Sequence, residues 1–146
     1  MRTRTTQVKQ PRAPSFGLED LALLEWLVDF ELRGAARYRR FATLVMITAP
    51  ESAVELIDFL ADSIRGSDAV FHFESSAAIL MGETDPSGAM AAVMRFKSRC
   101  DETIDLRFAV ASYPSDGRDA TTLLSALQRR RQEAVQGGFG AVVDLG

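Results

Sequence analysis

The chain has 146 residues, of which 47% are hydrophobic and 25% charged, and its formal net charge is −3. This balance is typical of one globular domain and excludes a chain that is disordered over most of its length. A single cysteine and a single histidine exclude an internal disulfide and argue against a Cys/His metal site. Because the apolar runs are short, we expect no transmembrane segment, no signal peptide and a cytoplasmic location.

The basic residues are distributed unevenly along the chain. Residues 1–14 contain four basic side chains and no acidic one, which leaves a net charge of −7 on residues 15–146. We expect residues 1–14 to form a flexible basic arm and residues 15–146 to form the folded domain. Contact of the arm with nucleic acid or with an acidic partner stays open as an alternative, whereas the acidic domain argues against DNA binding.

The first half of the folded domain predicts a helix, a strand and a second helix. Apolar periodicity predicts a helix over residues 18–40. The side chains assigned to its apolar face are Leu18, Leu21, Trp26, Leu27 and Phe30. Residues 41–47 have apolar side chains on both faces of a strand, which predicts a central strand. Pro50 suits the first turn of a second helix, which ends near Gly66.

A hairpin and a capped helix follow. Residues 69–73 and 77–81 are short apolar runs joined by a polar turn, which predicts a β-hairpin. Asp85 and Pro86 indicate the N-cap and first residue of a helix. The side chains expected to face inward from this helix are Met90, Val93 and Met94.

The last third of the chain predicts a strand, a helix and a short closing strand. Residues 104–111 alternate between large apolar and other side chains, which predicts a strand with one distinct face. The YPSDG string at 113–117 predicts a turn, after which Asp119 caps a helix that Gly137 and Gly138 close. Residues 139–143 predict the final strand. Strands interleaved with helices, together with one hairpin, indicate an α/β fold with a mixed sheet.

Three strings in this order carry a resemblance to a known family. RGSD at 65–68, with the hairpin and ETD at 83–85 after it, resembles an RxxD motif followed by two strands. FAVASYPSDG at 108–117 is similar to an IGVAxYPxDG string, and residues 123–143 resemble a closing helix and strand. Together they resemble the GGDEF family of diguanylate cyclases over residues 16–145. The resemblance implies a GGDEF-like (nucleotidyl cyclase-like) mixed central sheet flanked by helices.

The family's active-site positions have diverged in this chain. Its Gly-Gly-Asp/Glu-Glu-Phe turn corresponds here to FESSA, in which Glu74, Ser75 and Ser76 replace the glycine pair and the acids. The family's metal-binding aspartate corresponds to Thr48, and its triphosphate-binding lysine corresponds to Val135. Two-metal phosphoryl transfer needs acidic ligands and a cation for the triphosphate. We therefore expect a degenerate domain that is not an enzyme and holds neither metal nor cofactor.

A second family site, where cyclic di-GMP binds on the RxxD motif, is retained in sequence. Arg65 and Asp68 occupy that motif, Arg95 corresponds to a further arginine of the site, and Arg99 lies one helical turn beyond. An arginine fork pairs with guanine O6 and N7, and a carboxylate accepts from guanine N1–H and N2. The alternative is a surface ion pair between Arg65 and Asp68 with a solvated Arg95.

Two functions therefore remain open at the level of sequence. The first is a cyclic di-GMP receptor that signals occupancy to a protein partner, and the second is a scaffold or dimerisation module without nucleotide, including a homodimer. Three other features are assigned structural roles: His72 as a strand residue, Cys100 as a partly buried thiol at a helix end, and the run 129–131 as a solvated arginine face.

Overall fold

The computed structural model describes residues 15–16, 21–49, 69–72, 76–100 and 102–144. The predicted second helix, the basic arm and the first residues of the predicted first helix lie outside these ranges. The strands are β1 (Ser15–Phe16), β2 (Ala42–Thr48), β3 (Ala69–His72), β4 (Ser76–Gly82), β5 (Arg107–Tyr113) and β6 (Val142–Val143). The helices are α1 (Leu21–Tyr38), α2 (Pro86–Ser98) and α3 (Ala120–Gly137).

The described strands form one mixed sheet in the order β1-β3-β4-β2-β5-β6. Strands β3, β4, β2 and β5 pair antiparallel, and the two-residue strands β1 and β6 add parallel edges. Strand β2 lies between β4 and β5 along its whole length, and six of its seven residues are buried. The prediction of a central strand buried on both faces is confirmed, because helices cover both sides of the sheet.

Each face of the sheet has its own apolar core. Helices α1 and α3 pack on one face, where Leu44 of β2 and Leu123 of α3 are fully buried. Helix α2 packs on the other face, where Phe96 of α2 and Phe108 of β5 are fully buried in one cluster. The prediction that β5 has one distinct apolar face is wrong, since Ala109 is buried as well. A small side chain fits beneath α3, so that both faces of β5 are covered.

Helix α1 packs on the sheet with a different stripe of apolar residues from the one predicted, although Leu27 of the predicted face also packs against the core. The side chains that pack on the sheet are Leu24, Val28, Leu32 and Ala35. Trp26 and Phe30, predicted to face the core, are 59% and 64% exposed, respectively. Apolar residues occur on several sides of this helix. The stripe that packs on the sheet is the one whose residues follow one another at spacings of four, four and three.

Helix α2 begins as the sequence predicts. Asp85 is its N-cap, where the side chain accepts a hydrogen bond of 2.8 Å from the backbone N–H of Gly88, and Pro86 is its first residue. Val93 faces inward as expected and Met90 is partly buried, whereas Met94 is 57% exposed and its predicted inward position is wrong. The other side chains of α2 that are buried in the core are two alanines and Phe96.

The C-terminal elements follow the prediction with shifted boundaries. Strand β5 begins at Arg107, three residues later than predicted, and the closing strand β6 is limited to two residues. Helix α3 ends at Gly137, and Gly138 adopts a φ of 113°, a conformation that favours glycine. Within the described ranges, no helix has both the length and the hydropathy needed to cross a bilayer.

Candidate functional site

Three neighbouring strands place one row of residues at the end of the sheet. Thr48 is the last residue of β2, and it lies opposite Ser76 on β4 and Arg107 on β5. The hydroxyls of Thr48 and Ser76 share a hydrogen bond of 3.0 Å, and Ser76 is only 3% exposed. The two positions that were predicted to be degenerate are thus brought together, and each hydroxyl is the hydrogen-bond partner of the other. Glu74 and Ser75 lie outside the described residues.

The chemistry of this row is unfavourable for a divalent cation. Mg²⁺ takes carboxylate oxygens, and the row offers two neutral hydroxyls that are already hydrogen-bonded to each other. Arg107 adds no metal ligand to the row, because a guanidinium has no acceptor atom and this one is paired with Asp105. Among the described residues, no group of three His, Cys, Asp or Glu side chains is placed to hold a metal.

Arg107 joins this end of the sheet to the C-terminus of α3. Its guanidinium donates to both carboxylate oxygens of Asp105, to the carbonyl of Ala134 at 3.2 Å and to the carbonyl of Val135. Asp105 also accepts a 2.7 Å hydrogen bond from the N–H of Gly140. The hydrogen bond from Arg107 is the main reason that the pKa of Asp105 lies below its usual value. The network caps the last carbonyls of the helix with a cation.

Two of the predicted ligand-binding arginines lie at the C-terminal end of α2, Arg95 within the helix and Arg99 as its C-cap. Arg95 and Arg99 are both exposed, and the backbone N–H of Arg99 donates to the carbonyl of Arg95. The Arg95 guanidinium lies 6.0 Å from the ring centroid of Phe96. Both side chains are therefore accessible to an anionic ligand. Arg65 and Asp68 lie outside the described residues, so their position relative to Arg95 stays a prediction.

The YPSDG turn is held by an ion pair with Arg130, which the sequence analysis had placed on a solvated face of arginines. Arg130 of α3 is 4% exposed, and its Nη2 donates to Asp116 Oδ1 at 2.9 Å while Nη1 lies 2.9 Å from Oδ2. Nη1 also donates to the carbonyl of Val110 at 2.8 Å. The prediction of a solvated face is wrong at Arg130, because this residue continues the buried spacing of Leu123 and Leu127. That helical spacing was the signal that could have identified it.

In the same turn, Gly117 has a steric role and Asp116 has an electrostatic one. A Cβ on Gly117 would lie 2.8 Å from the backbone nitrogen of Leu123, so only glycine fits. Burial raises the pKa of Asp116, but the hydrogen bonds from Arg130 and the Ser112 N–H outweigh it, and the net pKa is lowered. The motif that carries the family resemblance therefore fixes backbone geometry.

The remaining candidates match their structural assignments. Cys100 is partly buried just after α2, and burial raises the pKa of its thiol, which disfavours the reactive thiolate. His72 is the last residue of β3. Neither belongs to a described cluster of catalytic groups.

Comparisons with known proteins extend this description. No protein-family profile and no curated protein sequence matches the chain. Solved structures do match, among them the GGDEF domain of YfiN (or TpbB) from Pseudomonas aeruginosa, at 16% identity and a TM-score of 0.75. That match covers 92% of this chain and 91% of the other. The chain therefore has the GGDEF fold, and the predicted mixed sheet flanked by helices is confirmed.

Two other solved structures of this fold concern an interaction with a binding partner. A microbial GGDEF domain, described by a novel interaction mode with bis-(3,5)-cyclic di-GMP, is 14% identical, with a TM-score of 0.71 over 84% of this chain and 88% of that chain. The diguanylate cyclase SiaD from Pseudomonas aeruginosa, in complex with its activator SiaC, is 12% identical, with a TM-score of 0.69 over 85% of this chain and 57% of that one.

Proposed function

We propose that this chain, with its GGDEF fold, is a catalytically inactive cytoplasmic receptor for cyclic di-GMP that signals occupancy to a protein partner. The observation that carries the proposal is the C-terminal end of α2, where Arg95 in the helix and Arg99 at its C-cap are both exposed. Arg65 and Asp68 complete the proposed site from the RxxD motif. A solved neighbour of this fold interacts with cyclic di-GMP, which supports the choice of ligand.

The chemistry of the four residues suits a guanine dinucleotide. A guanidinium donates to guanine O6 and N7 in the plane of the base, while a carboxylate accepts from N1–H and N2. A second guanidinium can neutralise a phosphate of the ligand. Arg95 and Arg99 lie on the surface without a described ion pair, so binding would not require an existing salt bridge to break.

Loss of catalysis is the second part of the proposal. Thr48 and Ser76 occupy the positions where carboxylates would hold metal, and the exposed Val135 occupies the position of the triphosphate-binding lysine. Without metal ligands and that cation, the charge on a transferred phosphoryl group has no partner. We expect purified protein with GTP and Mg²⁺ or Mn²⁺ to form no cyclic di-GMP. Steady turnover that persists through repurification would contradict this part.

Calorimetric titration with cyclic di-GMP tests the receptor directly. Wild-type protein should bind in the micromolar range or tighter, and Arg65→Ala or Arg95→Ala should weaken binding by roughly 1–3 kcal/mol. Asp68→Ala should also relax discrimination against cyclic di-AMP, because adenine lacks the N1–H and N2 donors. Arg129→Ala is the matched control, since Arg129 is an exposed arginine on α3. Absence of heat at high ligand concentration would exclude the receptor.

The second candidate is a protein-binding module that takes no nucleotide. One observation favours it: Trp26 and Phe30 of α1 are both largely exposed, and large exposed apolar groups often mark interaction sites. The solved complex of SiaD with SiaC is an example of a protein partner on this fold. This candidate predicts that no cyclic dinucleotide binds, while substitutions at Trp26 or Phe30 disturb association with protein.

A further inference from the structure

A stripe of four exposed side chains runs along α1. Trp26, Phe30, Arg33 and Arg37 follow one another at spacings of four, three and four residues, on the side of the helix away from the core. The rings of Trp26 and Phe30 are stacked, with centroids 5.6 Å apart and planes 9° from parallel. This aromatic–arginine stripe has aromatic rings in its N-terminal half and guanidinium groups in its C-terminal half.

The stripe combines the side chains that contribute most to protein interfaces. Aromatic residues and arginine are enriched at the centres of interfaces, where large rings become desolvated. Beside the stripe, Gly34 has no atom within 4 Å of the position that a Cβ would occupy. The helix surface therefore has a notch next to Phe30, into which a ring from another molecule can pack.

The order of groups along the stripe identifies its partner. We propose that α1 pairs antiparallel with α1 of a second copy of this chain, forming a two-fold homodimer. With Phe30 at the crossing point, Trp26 of each copy lies against the Gly34 notch and between Arg33 and Arg37 of the other. Guanidinium groups bind the faces of aromatic rings, so the two halves of the stripe are complementary when one copy is reversed.

Charge distribution supports the same orientation. Acidic Glu25 lies in the N-terminal half of α1, five residues before Phe30, while Arg33 and Arg37 lie in its C-terminal half. An antiparallel pair brings acidic ends toward basic ends, whereas a parallel pair would place arginine beside arginine. Arg33 already has Asp29 as an ion-pair partner at 3.0 Å, and both are exposed enough to rearrange. A reversed copy is thus favoured over a parallel one.

The size of the contact predicts a weak dimer. Helix α1 has 18 residues and is about 27 Å long, and each aromatic side chain has roughly 150–250 Å² of surface to bury. Two such rings per copy give less than the roughly 1,200 Å² of a stable complex. We therefore expect dissociation in the range of about 10 µM to 1 mM, with monomer and dimer in exchange.

Dimerisation through α1 is separable from ligand binding. The stripe lies on the α1/α3 side of the sheet, while Arg95 and the C-cap Arg99 belong to the end of α2, which packs on the opposite face. A dimer formed through α1 leaves both arginines accessible. Failure of the dimer would leave the receptor proposal intact, and the converse also holds.

The chain carries its own probe for this interface, since Trp26 is its only tryptophan. Tryptophan emission and sedimentation equilibrium of full-length protein should be followed together from about 5 µM to 1 mM. We expect emission to shift to shorter wavelength as the dimer fraction rises, because Trp26 leaves water. A wild-type protein that stays monomeric throughout would overturn the proposal, as would a short emission wavelength that does not depend on concentration.

Two stripe variants and one control locate the interface. Phe30→Asp should abolish the dimer over this range, and Arg37→Glu should weaken it about tenfold, since each change enters a symmetric interface twice. Met94→Asp removes an equally exposed apolar side chain from α2 and should dimerise like wild type. Circular dichroism checks that all three fold. A dimer that survives both stripe substitutions, or that is lost in Met94→Asp alone, places the interface elsewhere and overturns the proposal.

Discussion

The polar groups at the two ends of β2 have hydrogen-bond partners of different kinds. At the Thr48 end, a neutral pair of hydroxyls lies beside Arg107, whose charge is neutralised by Asp105 at the edge of the sheet. At the other end, Thr43 donates to the carbonyl of Thr84, and the Ser112 hydroxyl donates to Thr43, each at 2.8 Å. Beyond this second end, a charged pair is buried beneath the YPSDG turn.

The buried pair makes the second end depend on partners that are distant in sequence. Asp116 and Arg130 are 15% and 5% exposed at their side chains, respectively, and they join the turn to α3 through one hydrogen bond and a second ion-pair contact, each at 2.9 Å. Among the residues that the structure describes, the Thr48 end has no charge pair buried to this degree. The comparison teaches that the strongest sequence motif marks the most constrained packing, while the Thr48 end is held by a pair of neutral hydroxyls.

The largest effect should follow from breaking the buried pair. Arg130→Ala leaves Asp116 charged and without its guanidinium partner, so the free energy of unfolding should fall by about 3–5 kcal/mol. Urea denaturation measures this change. Arg129→Ala is the control. Arg129 is the exposed neighbour of Arg130, and its substitution should change the free energy of unfolding by less than about 0.5 kcal/mol. Equal effects of the two substitutions would contradict the burial of Arg130.

The pH dependence of stability gives a second measurement on the same pair. The pKa of Asp116 is lowered in the folded chain, so its contribution is full above the unfolded value of about 3.9 and is lost as pH falls through the folded pKa. Wild type should therefore lose stability below about pH 5. In Arg130→Ala, only the hydrogen bond from the Ser112 N–H still opposes the effect of burial on Asp116, so its pKa should rise and the variant should lose less stability on acidification than wild type does.

A smaller effect is expected where the turn meets α3. In Gly117→Ala the new methyl group would lie 2.8 Å from the backbone nitrogen of Leu123, and relief of the clash should cost about 2 kcal/mol. Gly34→Ala is the contrasting variant, because its Cβ meets nothing within 4 Å and alanine favours a helix by roughly 0.5–1 kcal/mol. Thermal unfolding at low protein concentration should give shifts of opposite sign.

Local sequence signals identified most of the described secondary structure. The Asp85 cap with Pro86, the hairpin and the Gly137 helix end depend on neighbouring residues, and they were predicted with small boundary errors. Which side of a helix meets the sheet depends on tertiary packing, and this is where Trp26 and Met94 were placed wrongly. A helix with apolar residues on several sides does not specify its buried face by periodicity alone.

The candidate site was predictable only in part, for a related reason. The resemblance identified Thr48 and Ser76, and antiparallel pairing brings them together as the aligned strands require. Arg107 was missed, because its contacts to Asp105 and to the end of α3 join elements that only the fold brings close. Arg130 was missed although its spacing was visible, since three consecutive arginines are usually solvated.

The smallest expected effect tests whether the Thr48 end is as tolerant as the comparison implies. Ser76→Ala or Thr48→Val alone leaves one hydroxyl near the sheet end without its partner, which should cost about 1 kcal/mol. The double variant removes both hydroxyls and should be nearly neutral, because no polar group is left unpaired. A double-mutant cycle by urea denaturation measures the coupling between the two positions. Thr43→Val is the comparison at the opposite end, where one hydroxyl serves both Thr84 and Ser112, so its loss should cost more than either single change. Additive costs at Thr48 and Ser76 would show that their hydrogen bond does not determine stability there, and the contrast between the two ends would then rest on the buried charges alone.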